Sequence, residues 1–349
     1  MAIADKHILI LTPGFPKDED DSTCIPPLQE FLIEFKSVYP SVIISIISFQ
    51  YPYRNKPYFW NGLKIIPLGG RNSTIKKPFV WLNAIRESTR VYKSYKIDTI
   101  HSLWLGECPM IGNIISKRFG CQHICTLMGQ DVKASNKYLK WLKSSSIKFI
   151  AISKNQSEEF QNLSTRKPDE IIHWGIDDRS ESKPERDIDL LGVGSLIPLK
   201  NYSLFIQLVG EISKTNQNIK CKLVGEGPEL NKLKALAKAI GEEKNIEFTG
   251  LLSRQRVLEL MQRSKILIHP SKFESAGFVF TEALLNGMNI VSFNVGYAQE
   301  HPKWSIAGDE KDFVDNTIRL LSSKLDFNSV NLFPLKETVK RYTSLYGIQ

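Results

Sequence analysis

Two glutamates, Glu274 and Glu282, lie eight residues apart where a loop leads into a predicted helix. The segment 269–296 predicts a strand, a loop, a helix and a second strand, because apolar runs flank a loop rich in turn-forming residues. A helix N-terminus offers unpaired N–H groups that favour phosphate, and carboxylates accept hydrogen bonds from sugar hydroxyls. The pattern therefore suits a nucleotide sugar, although an acidic first turn can simply stabilise its helix.

Two further loops support this interpretation. Segment 194–200 follows the predicted strand 188–193 and ends in Lys200, at the start of a helix. Segment 225–228 follows the predicted strand 220–224, and its glycines allow the backbone to approach a ligand closely. Open parallel sheets bind ligands at the carboxyl ends of their strands. Each loop alone could be a surface lysine or a tight turn, but together with the Glu274 loop they predict a cradle for a diphosphate.

Strand and helix patterns alternate along all 349 residues, which predicts an α/β protein with parallel sheets. The length favours two domains. The most polar stretch, residues 178–186, is the predicted linker between domains at 1–180 and 187–330. The remaining residues, 331–349, predict a helix that could pack back on the first domain.

The chain is basic, with a net charge of +9 and a pI of about 9.1. Such a charge suits nucleic acid, an anionic membrane face or anionic small substrates, but the basic residues form no run typical of a nucleic-acid tail. No stretch reaches the roughly 18 apolar residues that span a bilayer, and residues 1–6 lack a signal-peptide core. The five cysteines form no CxxC pair, which argues against a disulfide framework or a zinc site and favours the cytoplasm.

Residues 188–301 resemble the retaining glycosyltransferases of nucleotide-sugar family 4, also called group 1. This family has the GT-B fold of two facing, doubly wound Rossmann-like domains. The resemblance is carried by four motifs in the family's order. They are Val193-Gly194-Ser195-Leu196 followed by Lys200-Asn201, Leu223-Val224-Gly225-Glu226-Gly227-Pro228, Phe248-Thr249-Gly250, and Pro270-Ser271 followed by Glu274 and Glu282.

The resemblance implies transfer of a hexosyl unit from a UDP or GDP sugar to a glycan or lipid-linked saccharide, with retention and without a metal or other cofactor. It implies that Glu274 contacts the donor sugar as a catalytic residue, that Glu282 contacts the ribose and that Lys200 neutralises the diphosphate. The second domain would bind the donor and the first the acceptor. Further donor-binding residues implied are Gly194, Ser195, Gly225, Gly227, Ala276, Gly277 and Phe278.

Two positions depart from the family pattern. Ser195 stands where many members have arginine, and Met128 stands where many have a histidine. His101, at the end of a neighbouring predicted strand, is a candidate catalytic replacement, although a histidine there is also typical of a packed, hydrogen-bonding residue. We expect the acceptor near Gly14, His101 and Asp131.

Other classes of function remain open at this stage. A sugar epimerase with the same fold would bind a similar nucleotide sugar without an acceptor. A non-catalytic nucleotide or nucleic-acid binding protein would explain the charge, but interleaved basic and aromatic motifs are missing from the sequence. The acidic run 18–21 is typical of a solvated loop rather than a metal site. We expect a cytoplasmic protein of polysaccharide biosynthesis, whose basic surface could contact the anionic inner face of a membrane.

Overall fold

The computed structural model describes residues 6–178 and 184–348. The chain divides into two compact units, Met1–Asp177 with Phe333–Gln349, and Asp178–Leu332. The last helix therefore groups with the first unit, although it follows the second in sequence. Within the predicted linker 178–186, residues 179–183 lie outside the described residues.

The first unit is built on a largely parallel sheet with helices packed against it. Its strands are β1 (His7–Gly14), β2 (Ile43–Tyr51), β3 (Tyr58–Trp60), β4 (Leu63–Pro67), β5 (Thr99–Leu103), β6 (Gln122–Thr126), β7 (Lys148–Ala151) and β8 (Glu170–Ile171). Its helices are α1 (Pro26–Val38), α2 (Lys77–Ser94), α3 (Glu107–Phe119), α4 (Lys137–Leu142), α5 (Lys154–Ser164) and, from the end of the chain, α11 (Leu335–Leu345).

The strand order in this sheet is β3-β4-β2-β1-β5-β6-β7-β8. β1 pairs in parallel with β2 on one side and with β5 on the other, whereas β3 pairs antiparallel with β4 at the edge. The order therefore reverses at β1. The connections after β1 and β5 leave the sheet on opposite faces, which opens the crevice where doubly wound sheets bind ligands.

Helix α11 completes the core of the first unit. The fully buried Tyr342 places its ring centroid 5.2 Å from that of Phe31 on α1. The Tyr342 hydroxyl lies 2.7 Å from the Thr126 Oγ1 and accepts a hydrogen bond from the Trp174 indole at 3.2 Å. Since buried hydroxyls and indoles need partners, these bonds fix the helix against the sheet.

The second unit is a parallel sheet covered by helices. Its strands are β9 (Ile188–Val193), β10 (Cys221–Val224), β11 (Ile246–Gly250), β12 (Ser264–His269), β13 (Asn289–Phe293) and β14 (Trp304–Ala307). Its helices are α6 (Tyr202–Ser213), α7 (Leu230–Ala239), α8 (Arg254–Arg263), α9 (Phe278–Leu285) and α10 (Glu310–Leu321), and a 3-10 turn covers Pro198–Lys200.

The strand order of the second sheet is β11-β10-β9-β12-β13-β14, and the strands pair in parallel. This is the order 3-2-1-4-5-6 of a Rossmann unit, with its reversal between β9 and β12. The α/β prediction of two Rossmann-like, doubly wound units is therefore confirmed.

Some short elements differ from the prediction. The aromatic, proline-containing sequence of segment 51–60 is typical of a packed loop, but the segment contains the edge strand β3, in which Trp60 is buried and meets Phe15 edge to face at 5.2 Å. β14 was not predicted, because its four residues alternate weakly. The apolar sequence of residues 171–176 predicts a strand over that whole range, but β8 ends at Ile171, and the Ile176 N–H donates to the Phe333 carbonyl at 3.0 Å.

In the part of the chain that the structure describes, none of the helices combines the length and apolar character needed to cross a membrane. Among the same residues, the histidine, cysteine and acidic side chains form no group of three or more that could hold a metal ion. The five cysteines are free thiols.

Candidate active site

Three loops of the second unit lie together at the carboxyl edge of its sheet. Segment 194–200 follows β9, segment 225–229 follows β10 and segment 270–277 follows β12, and these strands are neighbours in the order β10-β9-β12. The loops therefore flank the crevice at the reversal between β9 and β12, where ligands bind in this fold. The structure brings together the three segments that the sequence singled out.

The first two loops pack backbone against backbone. The Leu196 N–H donates to the Glu226 carbonyl at 2.8 Å. A Cβ on Gly225, whose φ is +139°, would lie 1.9 Å from the Gly194 carbonyl oxygen, and a Cβ on Gly227 would lie 2.3 Å from the Leu196 carbonyl oxygen. Glycine is therefore required here by the contact between the loops, and the contact of these glycines with a donor stays a prediction.

A partly buried ionic cluster lies where the β9 and β12 loops meet. The Lys200 ammonium binds the Glu274 Oε1, and the His269 Nε2 lies 2.8 Å from the same oxygen. The side chains of Lys200 and Glu274 are 19% and 13% exposed, whereas His269 is buried. Glu274 is thus held between a lysine and an imidazole, and a face of each charged group is still open to solvent.

The cluster fixes the charge of Glu274. Burial acts to raise the pKa of this carboxyl, but the hydrogen bond from His269 and the charge of Lys200 outweigh it and hold the pKa at about 2. Burial lowers the pKa of His269, although its hydrogen bond to Glu274 opposes the change. At neutral pH Glu274 is therefore a carboxylate and His269 a neutral imidazole.

The second glutamate is also paired with a cation. Glu282, on α9, accepts a hydrogen bond from the Arg254 Nε at 2.8 Å, and the two side chains are 11% and 19% exposed. The Arg254 guanidinium carbon lies 5.8 Å from the centroid of the Phe278 ring. Arg254 was missed by the sequence analysis. The signal for it is its position at the start of α8, after β11, whose loop lies beside that of β10 at the same sheet edge.

Helix α9 begins in the same loop. Gly277 precedes it with a left-handed φ of 72°, and the ring of Phe280 fills the space of a Cβ at 2.5 Å. No described side chain caps this end of the helix, so its first N–H groups are available to an anion. The Ala276 carbonyl accepts the Tyr297 N–H at 2.7 Å. Ser195 is exposed on the neighbouring β9 loop and provides no cation.

His101 lies in the core of the first unit. Its Nδ1 is 2.7 Å from the Tyr346 hydroxyl, its Nε2 is 2.8 Å from the Thr126 Oγ1, and only 1% of the residue is exposed. Burial lowers its pKa to about 3, so the ring is neutral. Of the two sequence interpretations, the position favours the packed, hydrogen-bonding residue, and we propose no catalytic role for it.

The other predicted acceptor residues lie at the carboxyl edge of the first sheet. The Asp131 carboxylate accepts hydrogen bonds from the N–H groups of Leu105 at 2.6 Å and Gly129 at 2.8 Å, so it joins the loops that contain these two residues. Burial nevertheless raises the pKa of this carboxyl. Gly14 ends β1, and its carbonyl accepts the Thr12 hydroxyl at 2.8 Å. Asp131 lines a cavity of the first unit, whereas His101 and Gly14 do not.

Comparison with known proteins gives a family match for part of the chain. Residues 176–303 match the family model described as glycosyl transferases group 1. The chain is 27% identical over 225 residues to an uncharacterized glycosyltransferase of Methanocaldococcus jannaschii, a match covering 62% of this chain and 61% of that protein. It is 24% identical over 168 residues to the phosphatidylinositol N-acetylglucosaminyltransferase gpi3 subunit of Schizosaccharomyces pombe, a match covering 47% of this chain and 37% of that protein. The matched regions thus span less than two thirds of these relatives.

Solved structures share the whole fold. HepE of Anabaena, determined in complex with UDP and glucose, gives a TM-score of 0.69 at 14% identity over 98% of this chain and 99% of that one. The lipopolysaccharide outer core galactosyltransferase WaaB gives 0.70 at 14% identity, again over 98% and 99%.

The chain has the two-domain GT-B fold of these structures, and its residues 176–303 match the group 1 glycosyl transferase model, in agreement with the resemblance found in the sequence. The matched residues lie almost entirely in the second unit and include the ionic cluster around Glu274.

Proposed function

We propose that this protein transfers a hexosyl unit from a nucleoside-diphosphate sugar of the UDP or GDP type to a glycan or lipid-linked saccharide, with retention of configuration. The observation that carries the proposal is the cluster of Lys200, Glu274 and His269 beside the uncapped start of α9. The names of similar proteins support it, since they include an N-acetylglucosaminyltransferase and a structure holding UDP.

The diphosphate is the group that Lys200 and helix α9 would bind. A lysine ammonium and the free N–H groups of a helix N-terminus both favour phosphate oxygens. Lys200 is paired with Glu274, so a diphosphate would compete with the carboxylate for the ammonium. If the Lys200 side chain changed its ion partner from Glu274 to the phosphates, the Glu274 oxygens could accept hydrogen bonds from sugar hydroxyls.

The two glutamates would then bind different parts of the donor. Glu274, a carboxylate at neutral pH, would accept hydrogen bonds from the donor sugar, and Glu282 from the ribose. Glu282 is already bound by Arg254. Arg254 therefore supplies a second cation near the nucleotide, although not at the position of Ser195.

Charge develops on the leaving diphosphate as the sugar–oxygen bond breaks. Lys200 and the start of α9 would stabilise this charge in the transition state, which is the main way that such sites accelerate reactions. The departing phosphate can itself accept the proton of the acceptor hydroxyl. The proposed reaction therefore needs neither a protein base nor a metal ion.

A thermal-shift screen of nucleotide sugars tests the donor proposal. A ligand that binds only the folded state raises the melting temperature. We expect a UDP or GDP sugar to raise it while the free sugar at the same concentration does not. If no nucleotide sugar changes the melting temperature at millimolar concentration, the proposal is wrong.

His269 provides a prediction about the orientation of Glu274. Replacing His269 by leucine should lower kcat/KM about tenfold, because Glu274 loses one of the two donors that orient it. His269→Gln retains an N–H donor and should stay within about threefold of the wild type. Steady-state kinetics with the donor found in the screen measures both. Equal losses in the two variants would contradict the positioning role and indicate a packing effect.

The two rival functions make different predictions. A sugar epimerase would convert its nucleotide sugar without an acceptor, so nucleotide release that depends on added glycan would exclude it. A non-catalytic binding protein would retain its ligand affinity in Glu274→Gln and would show no transfer at all. No observation on the structure favours either over transfer.

We also propose that the protein works at the inner face of an anionic membrane, where lipid-linked acceptors are found. At the start of α2, Ile75, Phe79 and Leu82 are 85%, 68% and 56% exposed. Phe79 and Leu82 lie three residues apart on one face of α2, Ile75 lies in the turn just before the helix, and Lys76 and Lys77 lie between Ile75 and Phe79 in sequence. Exposed apolar side chains flanked by lysines are typical of segments that lie in a lipid interface.

Vesicle sedimentation tests this surface. We expect binding to vesicles containing phosphatidylglycerol, weaker binding to pure phosphatidylcholine, and loss of most binding in Phe79→Ser/Leu82→Ser. Leu251→Ser is the matched control, because Leu251 is 70% exposed on the second unit. Equal binding by the double variant and the control would exclude α2 as the contact.

A further inference from the structure

Tyr202 carries a buried hydroxyl close to the ionic cluster of the second unit. The residue begins α6, two positions after Lys200, and only 1% of it is exposed. Its hydroxyl has no hydrogen-bond partner among the described residues. Buried polar groups in native proteins nearly always have a partner, and each exception needs an explanation. An explanation for Tyr202 must therefore name the group that its hydroxyl binds.

The Tyr202 hydroxyl lies against the loop that holds Lys200. A Cβ on Gly194 would lie 2.9 Å from the Tyr202 hydroxyl oxygen and 3.8 Å from the Lys200 Cε, so both side chains flank the same point of the loop backbone. The ring itself is enclosed by the core. It meets Phe205 edge to face with centroids 6.4 Å apart, and a Cβ on Gly192 would lie 3.2 Å from its Cε1. The hydroxyl is therefore held beside the stem of Lys200.

The Tyr202 hydroxyl is a hydrogen-bond donor at neutral pH. Burial and, secondly, the negative charge of Glu274 raise the pKa of this phenol, so it keeps its proton. The influence of Glu274 also shows that the hydroxyl lies within electrostatic range of that carboxylate. A protonated phenol can donate to a carboxylate oxygen.

Glu274 has two donors in the structure, one from each neighbouring element. The Lys200 ammonium of the β9 loop and the His269 imidazole of β12 bind its Oε1, and the Tyr202 phenol at the start of α6 is a third titratable group that interacts with it. If Lys200 changes its ion partner to a diphosphate, a carboxylate that is only 13% exposed loses its cation. A partly buried charge without a partner is unfavourable.

We propose that the Tyr202 hydroxyl takes the place of the Lys200 ammonium on Glu274 when Lys200 binds a diphosphate. Tyr202 is then a positioning residue, because it donates to Glu274 and orients that carboxylate without touching the donor sugar. The exchange also explains why the hydroxyl is unpartnered while Lys200 is bound to Glu274. The proposal rests on the proposed transferase function.

A double-mutant cycle on the full chain, without any nucleotide, tests the exchange. Tyr202→Phe alone should not lower the free energy of unfolding, because the hydroxyl that it removes has no partner. In Lys200→Met the ammonium is missing, so the hydroxyl should bind Glu274. Tyr202→Phe in that background should therefore raise the equilibrium constant of unfolding about tenfold. Urea unfolding of the four proteins measures the coupling, and equal effects in the two backgrounds would overturn the proposal.

Nucleotide binding gives a second measurement. Calorimetric titration with UDP and GDP should show that Tyr202→Phe binds about tenfold more weakly than the wild type, because the bound state loses a hydrogen bond. The variant should also lose kcat at a higher pH than the wild type as the solution is acidified. Without its donor the Glu274 carboxyl has a higher pKa in the bound state and is protonated earlier. A tyrosine with only a packing role would not change this acidic limb.

Tyr92→Phe is the matched control, because Tyr92 lies in the first unit and stacks on Phe119 with ring centroids 4.0 Å apart. Combined with Lys200→Met, it should show no coupling in the free energy of unfolding. It should also leave the affinity for UDP and GDP unchanged.

The exchange and the transferase function can fail separately. If no nucleotide binds the wild type but the cycle shows the coupling, the transferase function is wrong and the pairing of Tyr202 with Glu274 is supported. If UDP or GDP binds Tyr202→Phe as tightly as the wild type, the transferase function stands and the exchange is wrong.

Discussion

Replacing Lys200 by methionine should lower kcat for sugar transfer by about 10²–10³-fold, the usual effect of removing one electrostatic stabiliser of a transition state. Lys200 lies at the end of the loop that follows β9, and its ammonium lies directly beside Glu274 and near the start of α9. Methionine keeps most of the chain length and removes the charge, so the leaving diphosphate loses its ion partner. Steady-state kinetics with the donor identified by thermal shift gives the comparison.

Two further variants separate chemistry from folding. Lys222→Met removes a lysine that pairs with Glu247 on the surface and should leave kcat unchanged. Lys200→Met removes the cation that pairs with the partly buried Glu274 carboxylate, so it should lower the free energy of unfolding. The double variant Lys200→Met/Glu274→Gln removes the unpaired negative charge as well, so it should recover stability but not activity. A kcat within threefold of wild type for Lys200→Met would show that the diphosphate lies elsewhere.

Replacing Gly225 by alanine should destabilise the second unit by roughly 3–5 kcal/mol, in the range of severe single substitutions. The new Cβ would lie 1.9 Å from the Gly194 carbonyl oxygen, at a backbone φ of +139°. The clash is with backbone, so a change of side-chain rotamer cannot relieve it. Separating the two loops would also displace the segment that leads to Lys200, so nucleotide binding should be lost as well. Urea unfolding measures the stability.

Gly241→Ala is the control for backbone conformation alone. Gly241 also has a left-handed φ, of +79°, but a Cβ there meets no atom within 4 Å. Its replacement should cost only about 1 kcal/mol, the preference for glycine in that conformation. If both variants lose the same stability, the tight contact between the β9 and β10 loops is not what makes Gly225 necessary.

Much of the second unit could be predicted from the sequence. Its strands are short, nearly continuous apolar runs separated by helical periods, since both faces of a parallel sheet are covered. The strands β9 and β10 match the predicted ranges 188–193 and 220–224 within one residue. Because ligand loops follow strand ends in this fold, the strand pattern also located Lys200 and Glu274.

Residues whose role depends on distant partners were less predictable. A histidine at the end of a predicted strand looks the same whether it faces a ligand or a core. In the structure β5 continues to Leu103, and His101 is covered by Tyr346, which is 245 positions away in sequence. Arg254 follows the helix-capping Ser253, and from the sequence alone it is typical of a solvated residue in the first turn of a helix. Only the adjacency of β10 and β11, with the packing of α8 on α9, brings it to Glu282.

The cavity of the first unit could not be predicted from the sequence either. The backbone conformation of Trp104 is set by bonds to Thr126 and to the Asp131 loop, and no local pattern encodes these contacts. The isolation of the Tyr138 hydroxyl is likewise a property of the assembled unit. The Asp131 carboxylate accepts the N–H groups of Leu105 and Gly129 and so joins two loops beside the cavity, and its predicted contact with the acceptor stays a prediction.

Calorimetric titration of nucleoside diphosphates into the wild-type chain and into Lys200→Met tests the central claim most directly. We predict that UDP or GDP binds the wild type with one site per chain, and that the variant binds the same nucleotide at least tenfold more weakly. No binding of UDP, GDP, ADP or CDP at millimolar concentration, or equal affinity in the two proteins, would contradict the assignment of the diphosphate to the loops around Lys200 and Glu274.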